Sequence, residues 1–472
     1  MNRNIFKVII GILLTVCLLC VFNACDDDDD DNVSDNLVPV EQLASPDTGN
    51  ACADTDITYT AMDPYFEPRE AEIREQIYNR EDEFNKLDID SDGFLSITEY
   101  NGTTQLFRDI DTNGDAKLSI EEARYMMTFA EIPSGSFIMG TDDPIMAFSQ
   151  PAMDAGPARE VTIDGFRMAA TEVTTAQYCL YLNSALEAGE ITVNLCDAAA
   201  ETRVNISVPA YVVKGAPGTE LAGKPYILLS PITGLSHVTP ENSPLPIPEH
   251  PLNQSWIRYL PDLKHFYVET GFEDWPAVFV KWYGAMAFAE YYGLSLPTEA
   301  EWEYAASGGR QYKFPTSDGT NGGQKSNYAC YNVMQQPYFQ GADTPEEVVG
   351  FRMTVGTYPS NPYGVFDLAG NVWEWALDWY RKDFYQYCED NGITSNPFNP
   401  AGEEPPMDGS VTGGPGQEFS HDARICRGGS YNYHEAVTRT EHRFPVYPFL
   451  GNDHFGIRVV LRPPTTVFNG TE

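Results

Sequence analysis

The stretch Asp88 to Glu99 reads DIDSDGFLSITE, and its spacing fixes a backbone path before any other element is considered. Carboxylates at its first, third and fifth positions, Asp88, Asp90 and Asp92, repel one another unless the chain wraps them around a cation. Gly93 at the sixth position permits the sharp turn that wrapping needs. Phe94 then offers a backbone carbonyl, Ser96 a hydroxyl that acts through water, and Glu99 two oxygens at the twelfth position. Oxygens in that number and order suit calcium, a hard cation that takes about six to eight of them. A second run, DTNGDAKLSIEE, repeats the arrangement from Asp111 to Glu122. Asp111, Asn113 and Asp115 fill its odd positions, Lys117 offers its carbonyl at the seventh, Ser119 stands at the ninth, and Glu122 closes it. Ala116 replaces the glycine, so a turn with φ > 0 is strained there and the second loop is expected to bind more weakly.

Both runs resemble EF-hand loops. Leu95 stands at the eighth position of the first, where it would pair with the partner loop. Apolar residues Ile73, Ile77, Phe84 and Leu87 recur at helical spacing over Glu67 to Leu87, and a second helical stretch is predicted from Ile120 to Phe129. Only Tyr100 to Ile110 separates the loops, about 16 Å if fully helical, and Asn101-Gly102 is expected to interrupt it. The expectation is a compact, all-α EF-hand pair over residues 67–130. Exported calcium modules of this kind bind at about 10⁻⁴ to 10⁻³ M and serve structure more than signalling.

The chain begins with Arg3 and Lys7, runs apolar from Val8 to Phe22, and reaches Asn23-Ala24-Cys25. That is the pattern of a signal peptide over 1–24, too short for a comfortable membrane span. It resembles a bacterial lipoprotein signal, which implies lipidation of Cys25 and an anchor in a membrane of the cell envelope. The alternative is ordinary secretion with Cys25 as a spare thiol. Six consecutive aspartates, Asp26 to Asp31, cannot pack against one another, so 25–60 is read as a flexible acidic tether. A net charge of -40 argues against nucleic acid as a partner, because phosphate neutralisation needs clustered Lys and Arg. Six cysteines lie beyond the anchor (Cys52, Cys179, Cys196, Cys330, Cys388 and Cys426), an even number compatible with three disulfides in an exported protein.

After Ile132 the texture changes to short strand-like runs broken by Gly, Pro and Asn, with helices near Trp282 to Tyr292 and Glu299 to Ala306. The Pro-rich stretch 186–275 reads as a long insertion with loops. Several unusual strings follow one another in order: IPSGSFIMG, TEVTTAQY, LPTEAEWEYA, YGVFDLAGNVWEWALDWY, RGGSY and GIRVV. Together they resemble the sulfatase-modifying-factor family, whose best-known member is formylglycine-generating enzyme. The resemblance implies an irregular α+β, C-type-lectin-like fold over 131–462, with a tail at 463–472. It also implies a calcium site in the GNVWEW string, with carboxylates from Asp367 and Glu374 and carbonyls from Gly370 and Val372. A second family site near Asn327-Tyr328 loses its usual Asp, which is Val349 here. Read by strand alternation, Trp373 and Trp375 share a face and Glu374 points away, free to meet a cation.

One departure decides the functional expectation. The family's oxidase holds copper with two cysteines shortly after its GGS string and so oxidises a substrate cysteine. Thiolate is the soft ligand that Cu(I) requires. The corresponding positions here are Tyr433 and Thr438, and Cys426 lies on the other side of RGGSY. Arg439 and Arg443 match the spacing of members without the cysteine pair and read as ion-pairing residues in an acidic fold. His434, Glu435, Glu441 and His442 cluster after RGGSY, but their spacing matches no recognised metal set. The expectation is a non-catalytic binding or scaffold protein for an envelope protein, peptide or glycan. Tyr431, Trp373, Trp375 and the 186–275 stretch would line its groove. The alternative is a formylglycine-type or other metal-dependent oxidoreductase.

Overall fold

The computed structural model describes residues 80–143, 145–147, 150–152, 154–197, 209–229, 255–320, 352–405, 422–431, 433 and 435–469. Cys25, the acidic tether, Asn327-Tyr328, Val349 and His434 lie outside the described residues. Six α-helices among the described residues punctuate an otherwise strand-and-loop chain. They are α1 (Arg80–Leu87), α2 (Thr104–Ile110), α3 (Thr175–Glu187), α4 (Trp282–Tyr291), α5 (Glu299–Ala306) and α6 (Phe384–Asp390). None is long and apolar enough to cross a membrane.

The sequence fixes the start of the two helices that matter most. Thr174 and Thr298 each accept from the backbone N–H three residues on, while Gln177 and Glu301 reach back to the cap's own N–H. Such reciprocal capping boxes satisfy two otherwise orphaned donors each. α5 is then buried on every side, glutamates included.

The strands form several small sheets, which together with the helices make the mixed α+β fold. Strand Trp373–Trp379 is central in the largest sheet. It pairs antiparallel with Arg424–Arg427, which pairs with Phe444–Val446, and parallel with Phe455–Gly456. A second sheet sandwiches Phe166–Ala169 between Phe129–Ile132 and Val460–Leu461, both antiparallel to it. The stretch 186–275 contributes a three-stranded sheet (Ile191–Asp197, Pro209–Gly215, Pro225–Leu229) and the hairpin Ile257–Leu260 with His265–Val268.

The predicted helix at Ile120 to Phe129 is not formed. A single 3₁₀ turn spans Glu122–Tyr125, and Phe129 already opens a strand. Ala123, Met126, Met127 and Phe129 are buried there for another reason, as members of a cluster that also holds residues of the acidic loops and of the larger sheet, whereas Ile120 is exposed. Phe84, Leu95, Leu106, Phe107, Ile110 and Leu118 share one hydrophobic cluster with Tyr178, Phe288 and Trp373. Polar ties reinforce that union. Gln177 Nε2 donates to the Met126 carbonyl at 2.9 Å, and the Tyr292 hydroxyl donates to Asp109 at 3.2 Å.

Cys179, Cys388 and Cys426 are buried thiols outside any disulfide, so the three-bridge arrangement is not formed. Packing, rather than crosslinking, stabilises their surroundings.

Candidate functional site

The two acidic loops are built on one plan. In the first, Asp88 accepts from the backbone N–H groups of Asp92 and Gly93, and Glu99 accepts from those of Ile89, Asp90 and Ser96. In the second, Asp111 accepts from Gly114, Asp115 and Ala116, and Glu122 from Thr112, Asn113 and Ser119. The loops are joined at their eighth positions, where Leu95 and Leu118 exchange two backbone hydrogen bonds of 2.9 Å. Gly93 has φ 84° and Ala116 has φ 64°, so the alanine does sit in the left-handed region that disfavours a side chain.

Among the described residues, one group of three acids brings its oxygens within 4.8 Å of one another: Asp88, Asp90 and Glu99. Ser96 hydrogen bonds, backbone and side chain, hold the Glu99 carboxyl below the usual carboxylate range. Asp92, the third expected carboxylate, is turned aside. Lys117 Nζ lies 2.6 Å from its Oδ2 and over the Phe94 ring at 5.0 Å. The second loop's lysine thus reaches into the first loop.

A different polar centre lies inside the large domain, where buried arginines meet buried acids. Arg427 donates to Glu299 at 3.0 Å and to Glu303 at 2.6 Å. Arg443 grips both oxygens of Glu299, at 2.7 and 3.0 Å. Glu303 also accepts from the Gly140 N–H and the Tyr385 hydroxyl. The third glutamate of α5, Glu301, pairs with Arg462. Arg439 pairs with Glu441 at the surface side of the same region. Arg443 therefore has the ion-pairing role expected of it, but fully desolvated.

Glu374 does meet a cation, and it is a guanidinium. Arg458 binds both of its oxygens at 2.6–3.0 Å, and Trp302 Nε1 donates to it at 2.7 Å. Glu172 and Asp367 crowd the same arginine. Burial first, then the charge of Asp367, pushes the Glu172 carboxyl well up. Burial likewise lifts Asp367 to about 6. Gly370 donates its N–H to the Gly428 carbonyl, tying the turn to RGGSY. Acids outnumber the one arginine here, yet among the described residues Asp367 and Glu374 are not part of a closed three-acid cage.

Around RGGSY the space is filled. Trp373 stacks on Phe444 with centroids 4.6 Å apart, and Tyr433 packs edge-on against Trp373 and His454. Thr438 donates its hydroxyl to the Glu435 carbonyl. Tyr431 donates to Asp453 at 2.8 Å, and His442 lies against Trp373. The expected groove is corrected on this point: Tyr431, Trp373 and Trp375 are at most 1 % exposed and line no surface. The thiol beside the motif, Cys426, is pushed well above its ordinary value by burial and by the Glu374 charge. A thiolate is strongly disfavoured there.

Comparison with known proteins agrees with this architecture. Residues 116–463 match the sulfatase-modifying factor enzyme 1-like domain. The chain belongs to the sulfatase-modifying factor family. Among its relatives, mouse formylglycine-generating enzyme is 31% identical over 308 residues, 65% of this chain and 66% of that enzyme. A Chlamydia pneumoniae serine/threonine-protein kinase pkn1 is 36% identical over 192 residues, 40% of this chain and 25% of the kinase. The bovine inactive C-alpha-formylglycine-generating enzyme 2 is 25% identical over 264 residues, 54% of this chain and 72% of that protein. The chain thus spans a quarter of the kinase and about two thirds of the mouse enzyme. Within the sulfatase-modifying factor domain, sequence reasoning missed Asp378 and Arg458. The signal available was a charged residue inside an otherwise apolar string, DWY and GIRVV.

Proposed function

We propose that this protein is a calcium-binding, envelope-anchored member of the family whose large domain binds or scaffolds a partner and carries out no cysteine oxidation. The observation that carries the reading is the packing at Tyr433 and Thr438. Where the resemblance calls for two thiolates, one side chain is wedged among aromatic rings and the other is hydrogen-bonded to the adjacent carbonyl. Neither supplies a soft ligand. The relative whose name calls it inactive is in keeping with a family that retains the fold without the reaction. Anchoring rests on Cys25 and its upstream apolar run. The partner class is an envelope protein, peptide or glycan, held elsewhere than on the buried RGGSY aromatics.

Calcium fits the first loop on geometry: Asp88, Asp90 and Glu99 already converge. Asp92, the Phe94 carbonyl and Ser96 would complete the set, with Asp92 exchanging Lys117 for the ion. In the second loop, Asp111, Asn113, Asp115, the Lys117 carbonyl and Glu122 would act in the same way, with Ala116 holding a strained turn. The turn with Asp367, Gly370, Val372 and Glu374 is the weakest candidate, because Glu374 already serves Arg458 and Trp302.

Two outcomes are expected. Equilibrium dialysis should find calcium bound with Kd of about 10⁻⁴ to 10⁻³ M, and Glu99→Gln should weaken the tighter site roughly tenfold or more. Undiminished binding in that variant would refute the assignment to the first loop. Incubating the purified protein with copper and a cysteine-bearing sulfatase peptide should leave the cysteine unchanged by mass. Conversion to formylglycine would overturn the non-catalytic reading in favour of the oxidase.

A further inference from the structure

The three-stranded sheet of the 186–275 stretch ends on one side in Ile191–Asp197, whose strand partner among the described residues is Pro209–Gly215 alone. On the sheet's other side Pro225–Leu229 is covered, because Ile227 bridges Val280 and Leu228 donates to the Phe279 carbonyl. Nothing comparable lies beside Thr192 to Leu195. Among the described residues their backbone groups bond to Pro209–Gly215 and to no other segment. Alternate residues of such an edge turn an N–H and a C=O outward, which is a template for another extended backbone.

Edges are ordinarily blunted by charge, by proline or by a bulge. In the neighbouring sheets, Phe444–Val446 carries Pro445 and Phe129–Ile132 carries Glu131. Ile191 to Cys196 reads ITVNLC, with neither charge nor proline, and its pairing with Pro209–Gly215 runs without a register shift. The strand is about 20 Å long, and an edge of that length left unprotected invites association. Its side chains point the same way. Leu195 is 68 % exposed on the face it shares with Val193 and with its cross-strand neighbour Tyr211, which packs edge-on against Tyr259 at 5.3 Å. On the opposite face the Asn194 amide donates to the Thr192 hydroxyl at 3.3 Å and so does not cap the backbone edge.

Charge decides between the occupants such an edge could take. Two chains of net charge -40 repel, which disfavours a second copy of this chain. Glu187 and Glu190 stand exposed where the strand begins, so a segment bringing Lys or Arg to that end is complementary. We infer that this edge takes an extended segment of another protein as an added strand, with alternate apolar side chains covering Val193 and Leu195 and a basic residue meeting Glu187 and Glu190. The inference rests on the binding reading above and gives it a surface distinct from the buried RGGSY aromatics.

Titration calorimetry on the full chain tests it with the capped heptapeptide acetyl-Lys-Thr-Val-Thr-Val-Thr-Lys-amide, which should bind with Kd of about 1 mM or tighter. Only alternate N–H groups of an added strand face the edge. Of two further peptides, one N-methylated at its threonines and one at its valines, one should therefore lose binding and the other keep it. Asn194→Lys, which sets a charge on the edge, should weaken the parent peptide about fivefold or more. Glu187→Gln/Glu190→Gln should weaken it about threefold at low salt. Unchanged melting temperatures show that the variants fold. The inference is overturned if the peptide does not bind, if the two N-methylated forms behave alike, or if Asn194→Lys leaves affinity intact. A dimer in analytical ultracentrifugation that Asn194→Lys dissociates would give the edge to a second copy and overturn the choice of partner. The calcium and copper assays above decide the non-catalytic reading independently of these results.

Discussion

Replacing Glu299 by alanine should destabilise the protein by about 3–5 kcal/mol, the cost of leaving a buried charge without its partner. Glu299 is 1 % exposed and holds two guanidinium groups, Arg427 and Arg443, that are themselves fully or nearly fully buried. Without it Arg443 keeps its bond to the Asp154 carbonyl but no carboxylate, while Arg427 retains Glu303. The change is read as a fall in thermal midpoint and in denaturant midpoint. A loss below about 1 kcal/mol would place the network in the class of ion pairs that contribute little. The double variant Glu299→Leu/Arg443→Met removes opposite charges together and should recover part of the loss, as buried pairs replaced by apolar side chains commonly do.

Stability should also decline as pH rises from about 4 to about 7, and Asp378 is one reason. It is fully buried, accepting from the backbone N–H groups of Glu299 and Asn399 at 2.7 and 2.9 Å. Desolvation first, then the Glu299 charge, lifts its carboxyl from the ordinary 3.8 to about 7, against the lowering effect of those two N–H donors. In the unfolded chain the acid ionises near its ordinary value. The folded protein therefore binds more protons across that window, and the linkage slope is negative. Its contribution is complete below the lower pKa and is lost by the time pH passes the upper one. The separation corresponds to on the order of 4 kcal/mol. Asp367, lifted to about 6, adds to the same trend. Denaturation midpoints between pH 4 and 8 measure the slope, and Asp378→Asn should flatten it. A slope that the variant does not change would remove Asp378 from the explanation.

Local chemistry was legible in the sequence wherever neighbours in the chain are neighbours in space. The capping residue Thr298 and its Glu301 mark α5 at the predicted bounds. The spacing of the acidic loops anticipated both the Leu95–Leu118 pairing and the left-handed Ala116. The break at Asn101-Gly102 also falls where expected, since α2 begins only at Thr104. What could not be read was long-range. Arg427 finds Glu299 across 128 residues, Arg443 finds it across 144, and Arg458 finds Glu374 across 84. No periodicity encodes such pairs. The same limit explains the misplaced groove. Strand alternation put Trp373 and Trp375 on one face, but only the packing of Phe444 and Phe455 shows that this face is interior. Ile120 to Phe129 misled for a related reason. Ala123, Met126, Met127 and Phe129 join one cluster with residues of several elements while Ile120 stays exposed, and neither helix nor strand period governs that pattern.

The strand Phe166–Ala169 acquires its second neighbour only from Val460–Leu461, almost three hundred residues downstream. A chain emerging from its N-terminus must hold that edge open until this distant strand has been made. Arg458 arrives in the same stretch, so Glu374, Asp367 and Glu172 stay without their counter-charge until then. Completion of that distant stretch thus closes a sheet and neutralises an acidic interior together, and a chain broken off before Arg458 would achieve neither.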